Sequence, residues 1–137
     1  MTAERGIVQG GHFIFGLPFE TREMMLATAN KVTSLQLDSV KFHQLQIIKG
    51  TVMEKEFAAF PERFKTFALE EYIDFFVYYL ELLRPDLVIE RFAGEVPPRF
   101  VNSTPWGLIR NVELLRMLDR RLAERDTFQG RLYTEKV

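Results

Sequence analysis

Cysteine is absent from this 137-residue sequence, which excludes disulfide bonds, thiolate metal sites and a cysteine nucleophile. The sequence also lacks an excess of positive or negative charge, because its net charge is only -1. We therefore expect no nucleic-acid partner. No apolar run reaches the roughly 18 residues that a membrane span needs, and no signal peptide opens the sequence. These absences favour a cytoplasmic protein without a membrane partner.

Aromatic and aliphatic residues, in contrast, are abundant. The sequence contains 13 Phe, and 47% of its residues are hydrophobic, which is typical of a globular chain with a sizeable core. The length predicts a single domain over residues 1–137. The polar residues from 126 to 137 predict a loose tail.

Short apolar segments bounded by glycine or proline predict three strands, at 11–16, 39–48 and 87–92. Apolar residues at helical spacing predict helices at 22–35 and 69–83, and a last helix from about 106 to 125. A sequence in which strands alternate with helices is typical of an α/β fold with parallel strands. The pattern at 4–7, a charged helix end followed by a glycine stop, predicts that the sequence starts in the middle of such a fold.

Finer patterns predict which residues these helices bury. We expect Met25, Ala29 and Val32 to face the core from the first helix, with Thr21 as its N-cap. A stripe on the last helix is predicted to be buried: Leu108, Val112, Leu115 and Leu122. Between the second and third strands lies an aromatic series interrupted by Pro61: Phe57, Phe60, Phe64 and Phe67. We interpret this series as core, with a lid over a substrate as the alternative, and Trp106 as a plug under the last helix.

Several segments carry a family resemblance when they are taken together. They are HFIFGLPFET (12–21), KFHQL (41–45), KGT (49–51), LEEY (69–72), IERFAG (89–94), PW (105–106) and RDTFQG (125–130). In this order and spacing they resemble the C-terminal part of radical S-adenosylmethionine (radical SAM) enzymes of the coproporphyrinogen-oxidase-like kind. This branch consists of iron–sulfur oxidoreductases whose reaction is not established.

The resemblance implies a fold and two cofactors. The fold is the C-terminal portion of a partial (β/α) barrel, here about three parallel strands with flanking helices and a C-terminal helix. The cofactors are a 4Fe–4S cluster, bound by a CxxxCxxC loop, and S-adenosylmethionine (SAM). By the resemblance, Ile14, Gly16 and Leu17 would be neighbours of SAM, and Leu45 with Gln46 would form a wall beside its adenine.

Three departures from the family pattern bear on these expectations. Phe19 replaces the usual glycine of GLPGET, which would permit a positive φ or close packing. Ala68 stands where the family tends to have a Ser or Thr helix cap. The cysteine loop is absent, so no cluster is expected in this chain, and the chain alone is predicted to be inactive in radical chemistry. No catalytic residue and no metal ligand is assigned.

Four basic residues are further candidates on the substrate or SAM side. His12 and His43 fall on adjacent predicted strands, where they would either pack and hydrogen-bond or act on the substrate or SAM side. Lys41 needs a partner, either a ligand carboxylate or Glu90. Arg91 is open to an anion contact or to a salt bridge with Glu95.

We therefore expect the chain to supply the SAM- and substrate-side strands of a radical SAM barrel, with the N-terminal part of the barrel as its partner. The alternative is a stand-alone, non-catalytic module that dimerises, so that a second copy completes its sheet. Basic residues on the last helix alternate with acidic ones and predict a solvated, internally paired face rather than a nucleic-acid site.

Overall fold

The computed structural model describes residues 3–102, 106 and 109–135. Three parallel strands form one sheet in the order β1-β2-β3: β1 (Gly10–Phe15), β2 (Ser39–Gln44) and β3 (Val88–Arg91). The helices are α1 (Arg22–Ser34), α2 (Val52–Ala59), α3 (Leu69–Leu82) and α4 (Asn111–Glu124), and the short 3-10 turns are Ala3–Arg5, Pro61–Arg63 and Pro98–Phe100. The predicted α/β fold with three parallel strands is confirmed.

One face of the sheet is packed under helices, and we call it the covered face: Phe13, Phe15, Val40 and Phe42. The Phe15 and Phe42 rings stack with centroids 5.4 Å apart, and both meet the edge of Tyr79 from α3. From α1, the predicted residues Met25, Ala29 and Val32 are all buried in the same core. The aromatic packing on this face also includes Phe75 and Phe76 of α3.

The opposite face of the sheet, the open face, consists of His12, Ile14, Lys41, His43 and Val88. Ile14 is 47% exposed and Val88 is 58% exposed, although both are apolar strand residues. Successive strand residues point to opposite sides of a sheet, so the covered and open faces alternate along each strand. The helices described by the structure therefore leave the open face free.

The second strand is shorter than predicted, ending at Gln44 rather than at residue 48. Its neighbour β1 stops at Phe15, because Gly16 turns the chain with a φ of +87°. The Leu45 amide still donates to the Phe15 carbonyl, at 2.8 Å, and the chain then leaves the sheet. Ile48 instead forms an antiparallel bridge with Val101.

The prediction for the last helix was wrong in its start and for two residues of its buried stripe, Val112 and Leu115, whereas Leu122 packs against the core as predicted. The helix α4 begins at Asn111, not near residue 106, and it buries Leu114 and Leu118. Val112 is 53% exposed and Leu115 is 39% exposed, while Leu108 lies outside the described residues. Several rows of α4 carry apolar residues, so periodicity alone could not select the buried row.

Tertiary contacts orient α4. Arg121 forms ion pairs with Glu70 and Asp74 of α3, and Arg125 pairs with Asp74 at 2.5 Å. These contacts turn Leu114 and Leu118 toward α3. The paired face that we predicted for the basic residues of this helix thus includes partners on another helix.

The segment that follows α4, predicted as a loose tail, is hydrogen-bonded to the end of α3. The buried Glu81 carboxylate accepts from the Thr127 hydroxyl at 2.6 Å and pairs with Arg131 at 3.0 Å. The Gln129 amide donates to the carbonyls of Arg84 and Leu87, each at 2.9 Å. These bonds hold residues 127–131 against the turn between α3 and β3.

Candidate functional site

A cavity of about 420 Å³ lies at the carboxyl ends of the three strands. Its wall is formed by residues that follow each strand, by the segment before α3 and by the approach to α4: Phe15, Gly16, Gln44–Ile47, Phe57, Phe64–Phe67, Gly94–Pro97, Trp106, Ile109 and Arg110. In open parallel α/β sheets, ligands bind in the crevice outside the carboxyl ends of the strands. The volume falls within the range of small-molecule sites, roughly 300–1,000 Å³.

The sequence-predicted SAM neighbours divide between this cavity and other surfaces. Gly16, Leu45 and Gln46 line the cavity. Ile14 lies on the open face, and Leu17, which is 40% exposed, lies in the turn after β1. The structure thus brings three of the predicted positions together and leaves two outside.

The turn after β1 is fixed by a carboxylate and by close packing. Glu20 accepts hydrogen bonds from the backbone amides of Gly16, at 2.8 Å, and Leu17, at 3.3 Å. A Cβ atom on Gly16 would lie 2.9 Å from the Lys65 carbonyl, so glycine is required there. This approach joins the end of β1 to the cavity wall before α3.

Phe19, which replaces the family glycine in this turn, has a φ of 65°. The left-handed conformation costs a residue with a Cβ about 1–2 kcal/mol, which glycine would avoid. The Phe19 amide donates to the Arg63 carbonyl at 2.7 Å, and the Arg63 guanidinium lies 5.3 Å from the Phe19 ring centre. The turn therefore keeps a left-handed residue at the position where the family has glycine.

Side-chain amides hold the loop that follows β3. Gln44 accepts from the Gly94 amide at 2.9 Å, and Asn111 accepts from the Phe92 and Ala93 amides at 3.2 and 3.1 Å. A Cβ atom on Gly94 would lie 2.8 Å from His43 Nδ1. The sequence analysis did not predict these roles of Gln44 and Asn111. The signal that the sequence offers is a side-chain amide at the end of a strand, Gln44, and another at the start of a helix, Asn111.

Aromatic rings form much of the remaining wall. Phe64 and Phe67 are buried, at 7% and 6% exposure. Phe60 was predicted to belong to the core, but it is 43% exposed. The Trp106 ring packs against Tyr72 at a tilt of 43°, with centroids 4.7 Å apart, and its Nε1 donates to the Phe67 carbonyl at 2.8 Å. Trp106 therefore packs against α3 and lines the cavity, and its role as a plug under the last helix stays a prediction.

Two charged residues of the cavity wall, Lys65 and Glu95, have partners within the protein. Lys65 forms an ion pair with Glu71. Hydrogen bonds from the Asn111 backbone and side chain lower the pKa of Glu95, whose carboxylate sits at the start of α4. The cavity wall thus offers rings and amide groups, together with the charged side chain of Arg110.

The four basic candidates lie outside the cavity, at the open face. His12 and His43 stack with ring centroids 5.8 Å apart, and Lys41 pairs with Glu90 at 3.3 Å. Burial lowers the pKa of His43, and the positive charge of Arg91 and the presence of His12 and Lys41 lower it further. Glu90 is thus the partner of Lys41 that the sequence offered as one alternative.

Arg91 has no ion pair within the described residues, and its predicted salt bridge with Glu95 is not formed. Glu95 instead accepts from the Asn111 side chain at 2.9 Å. Arg91 influences both His43 and Glu95 through its charge. Its second predicted alternative, contact with an anion, stays a prediction.

The residues of this chain do not fit an iron–sulfur cluster. The sequence has no cysteine, and the described part of the chain holds no group of three His, Asp or Glu side chains arranged to bind a metal ion. The described residues also contain no helix that is long and apolar enough to cross a membrane.

A parallel sheet covered by helices on one side, with a cavity at its strand ends, defines this chain as an α/β domain. The family model described as "Radical_SAM C-terminal domain" matches residues 37–124. This chain belongs to the radical SAM C-terminal domain family. The predicted resemblance to the C-terminal part of radical SAM enzymes is thereby confirmed, and the coproporphyrinogen-oxidase-like branch stays a prediction.

Individual relatives match nearly the whole chain. The uncharacterized protein YtqA of Bacillus subtilis is 29% identical over 95% of this chain, and the uncharacterized protein MJ0486 of Methanocaldococcus jannaschii is 29% identical over 93%. The chain spans 39% of the length of each of these relatives.

Among solved structures, the archaeal Elp3 of Methanocaldococcus infernus with an N-terminal deletion has the same fold. It superposes with a TM-score of 0.71 over 93% of this chain, which corresponds to 29% of that protein, at 18% sequence identity. This likeness supports the α/β fold with three parallel strands.

Proposed function

We propose that this chain supplies the SAM- and substrate-binding side of a radical SAM iron–sulfur oxidoreductase of the coproporphyrinogen-oxidase-like branch. The observation that carries the proposal is the strand-end cavity, whose wall contains Gly16, Leu45 and Gln46. These are positions that the sequence resemblance assigns to SAM, and they meet at the edge of the sheet where α/β proteins bind ligands.

The character of the wall also supports SAM as the ligand. Aromatic side chains such as Phe64 and Trp106 suit the flat adenine ring, which gains about 0.5–1.5 kcal/mol from such contacts beyond area burial. The Gln46 side chain has no hydrogen-bond partner among the described residues, so its amide is free to pair with the edge of the adenine. When bound, SAM supplies the deoxyadenosyl group for radical chemistry.

This chain has no cysteine that could hold the cluster. Cysteine ligands would have to come from a part of the barrel beyond this sequence. The contribution of this chain is to bind and orient the organic ligands and to exclude water from the strand ends.

Trp106 provides the test, because it is the only tryptophan of the sequence and lies in the cavity wall. We expect SAM to change its fluorescence saturably. Gln46→Ala should weaken the binding about fivefold, the worth of one hydrogen bond of about 1 kcal/mol. Gln9→Ala, before the amino end of β1, is the matched control and should bind as the unaltered chain does. Equal binding by both variants, or no saturation, would contradict the proposal.

The open face and the free edges of β1 and β3 favour a partner that covers them. We propose the N-terminal part of a barrel as that partner, since a barrel buries the inner face of each strand. The alternative, a second copy of this chain, is favoured by the exposed apolar residues Ile14 and Val88. Sedimentation equilibrium separates the two, because a tight dimer of the isolated chain supports the second copy and a monomer supports the barrel.

A further inference from the structure

A row of basic side chains crosses the open face at one level. In the strand register, His12 of β1 is opposite Lys41 of β2, and Lys41 is opposite Arg91 of β3. Neighbouring strands lie about 4.8 Å apart, and like charges placed directly opposite one another destabilise a sheet. His43 lies two residues beyond Lys41 on β2, and its ring stacks on that of His12. Three strands thus bring four basic groups to one place.

An irregularity in β3 determines how these charges are neutralised. The register shifts between Val40 and Lys41, so that Glu90 and Arg91 both fall beside Lys41. Glu90 takes Lys41 as its partner at 3.3 Å and accepts from the Ser39 hydroxyl at 2.6 Å. A bulge of this kind re-aims a side chain, and bulges are over-represented beside active sites.

The bulge leaves Arg91 with its charge unsatisfied. Arg91 is exposed and, among the described residues, forms neither an ion pair nor a side-chain hydrogen bond. Glu90 is committed to Lys41 and Ser39, and Glu95 to Asn111. The Nε2 atom of His43 is also buried without a hydrogen-bond partner in the described part of the chain. The row therefore has more donors than the protein itself uses.

We propose that the row His12, Lys41 and Arg91, with His43 beside it, binds the carboxylate or phosphate group of an anionic substrate. A guanidinium such as that of Arg91 presents paired donors that match either group. The inference rests on the proposed function, because the open face is the face that a barrel would enclose. It adds the class of substrate, which the strand-end cavity with its rings and amides does not specify.

His43 is the reporter for the test, since its environment is set by the charges around it. The groups that face it are His12 from β1, Lys41 on its own strand and Arg91 from β3, with Glu90 paired to Lys41. An anion bound at the row offsets their positive charge and raises the pKa of His43 toward its ordinary value. The sequence has two histidines, so both imidazole titrations can be followed separately by NMR.

The experiment measures both histidine titrations with sodium phosphate, with sodium acetate and with SAM, each at an ionic strength fixed with chloride. We expect phosphate or acetate to raise the pKa of His43 saturably. Arg91→Gln should weaken this effect about tenfold or more, because a hydrogen bond to a charged group is lost. Arg120→Gln, an exposed charge on α4, should leave it unchanged.

Three outcomes would overturn the proposal. The pKa of His43 could respond no more to phosphate and acetate than to chloride, it could respond equally in Arg91→Gln, or SAM could be the only compound that moves it. The last result would mean that the row holds the carboxylate of SAM and not a substrate. Binding of SAM reported by Trp106 is a separate readout, so a failure of the cavity proposal and a failure of the anion proposal are distinguishable.

Discussion

The covered and open faces are built from alternate residues of the same strands, and they differ in what those residues do. Phe42 is fully buried among aromatic rings. Its neighbours Lys41 and His43 lie on the opposite face, where the Glu90 carboxylate pairs with Lys41 and other basic side chains lie nearby. Ile14 is 47% exposed although Phe15, the next residue, is 1% exposed. The covered face therefore supplies most of the burial in this sheet, and the open face contributes little to it.

The largest expected effect comes from breaking the covered face. Phe42→Ala removes a ring that packs against Phe15, Phe76 and Tyr79, and it should lower the free energy of unfolding by about 3–5 kcal/mol. Ile14→Ala on the open face is the matched control and should cost less than about 1 kcal/mol, since little burial is lost. Urea unfolding measures both, and similar losses would mean that the two faces are not distinct.

A smaller loss is expected where α4 holds the end of β3. The Asn111 side chain bonds the amides of Phe92 and Ala93 and the Ala93 carbonyl, at 2.9–3.2 Å. Asn111→Ala should cost about 2–3 kcal/mol, because backbone groups lose their partners. Asn102→Ala removes an exposed bond to Glu54 and should cost under about 0.5 kcal/mol. Equal thermal midpoints for the two variants would contradict this account of the loop.

The covered side can also be strengthened. Ala68 occupies the N-cap of α3 without a side-chain hydrogen bond, as the departure from the family pattern predicted. Ala68→Ser should raise the free energy of unfolding by about 1 kcal/mol. Ala58→Ser within α2 serves as the control and should lower it by about 0.5 kcal/mol. A gain from both substitutions would show that capping is not the cause.

The smallest effect is expected from acid acting on the open face. Burial and nearby positive charge hold the pKa of His43 below its ordinary value of 6.5, so the unfolded chain binds this proton more readily. Stability should therefore be full above pH 6.5 and should fall as the pH drops through 6.5 toward the pKa of the folded state. His43→Gln should flatten this fall in thermal unfolding measured across the window. An unchanged slope would mean that other groups cause it.

Much of the fold was predictable because the strands and α1 are determined by local sequence patterns, such as the spacing of apolar residues and the capping residue. Thr21 accepts from the Met24 amide as an N-cap should, and α1 buries the residues that its spacing predicted. The start and orientation of α4 were not predictable, since Asn111 and Arg121 act through partners far away in the sequence. Long-range contacts of this kind leave no periodic pattern.

The candidate site was predictable only in part, for a similar reason. The motif after β1 and the end of β2 pointed to Gly16, Leu45 and Gln46, which the cavity brings together. Ile14 lies on the open face, because successive strand residues point to opposite faces of a sheet and the next residue, Phe15, points into the core. Gln44 and Trp106 were missed as wall residues, because their positions depend on how the loops after β3 and before α4 return to the sheet.

We propose that SAM binds at the strand ends and not across the open face. Nitrogen-15 correlation spectra of the chain, recorded with increasing SAM, separate the two locations because each backbone amide reports its own surroundings. We expect saturable shifts for the amides of Gly16, Leu45 and Gln46, with the largest changes at the cavity wall. Shifts confined to His12, Lys41 and Val88, or no saturable shift at all, would contradict it.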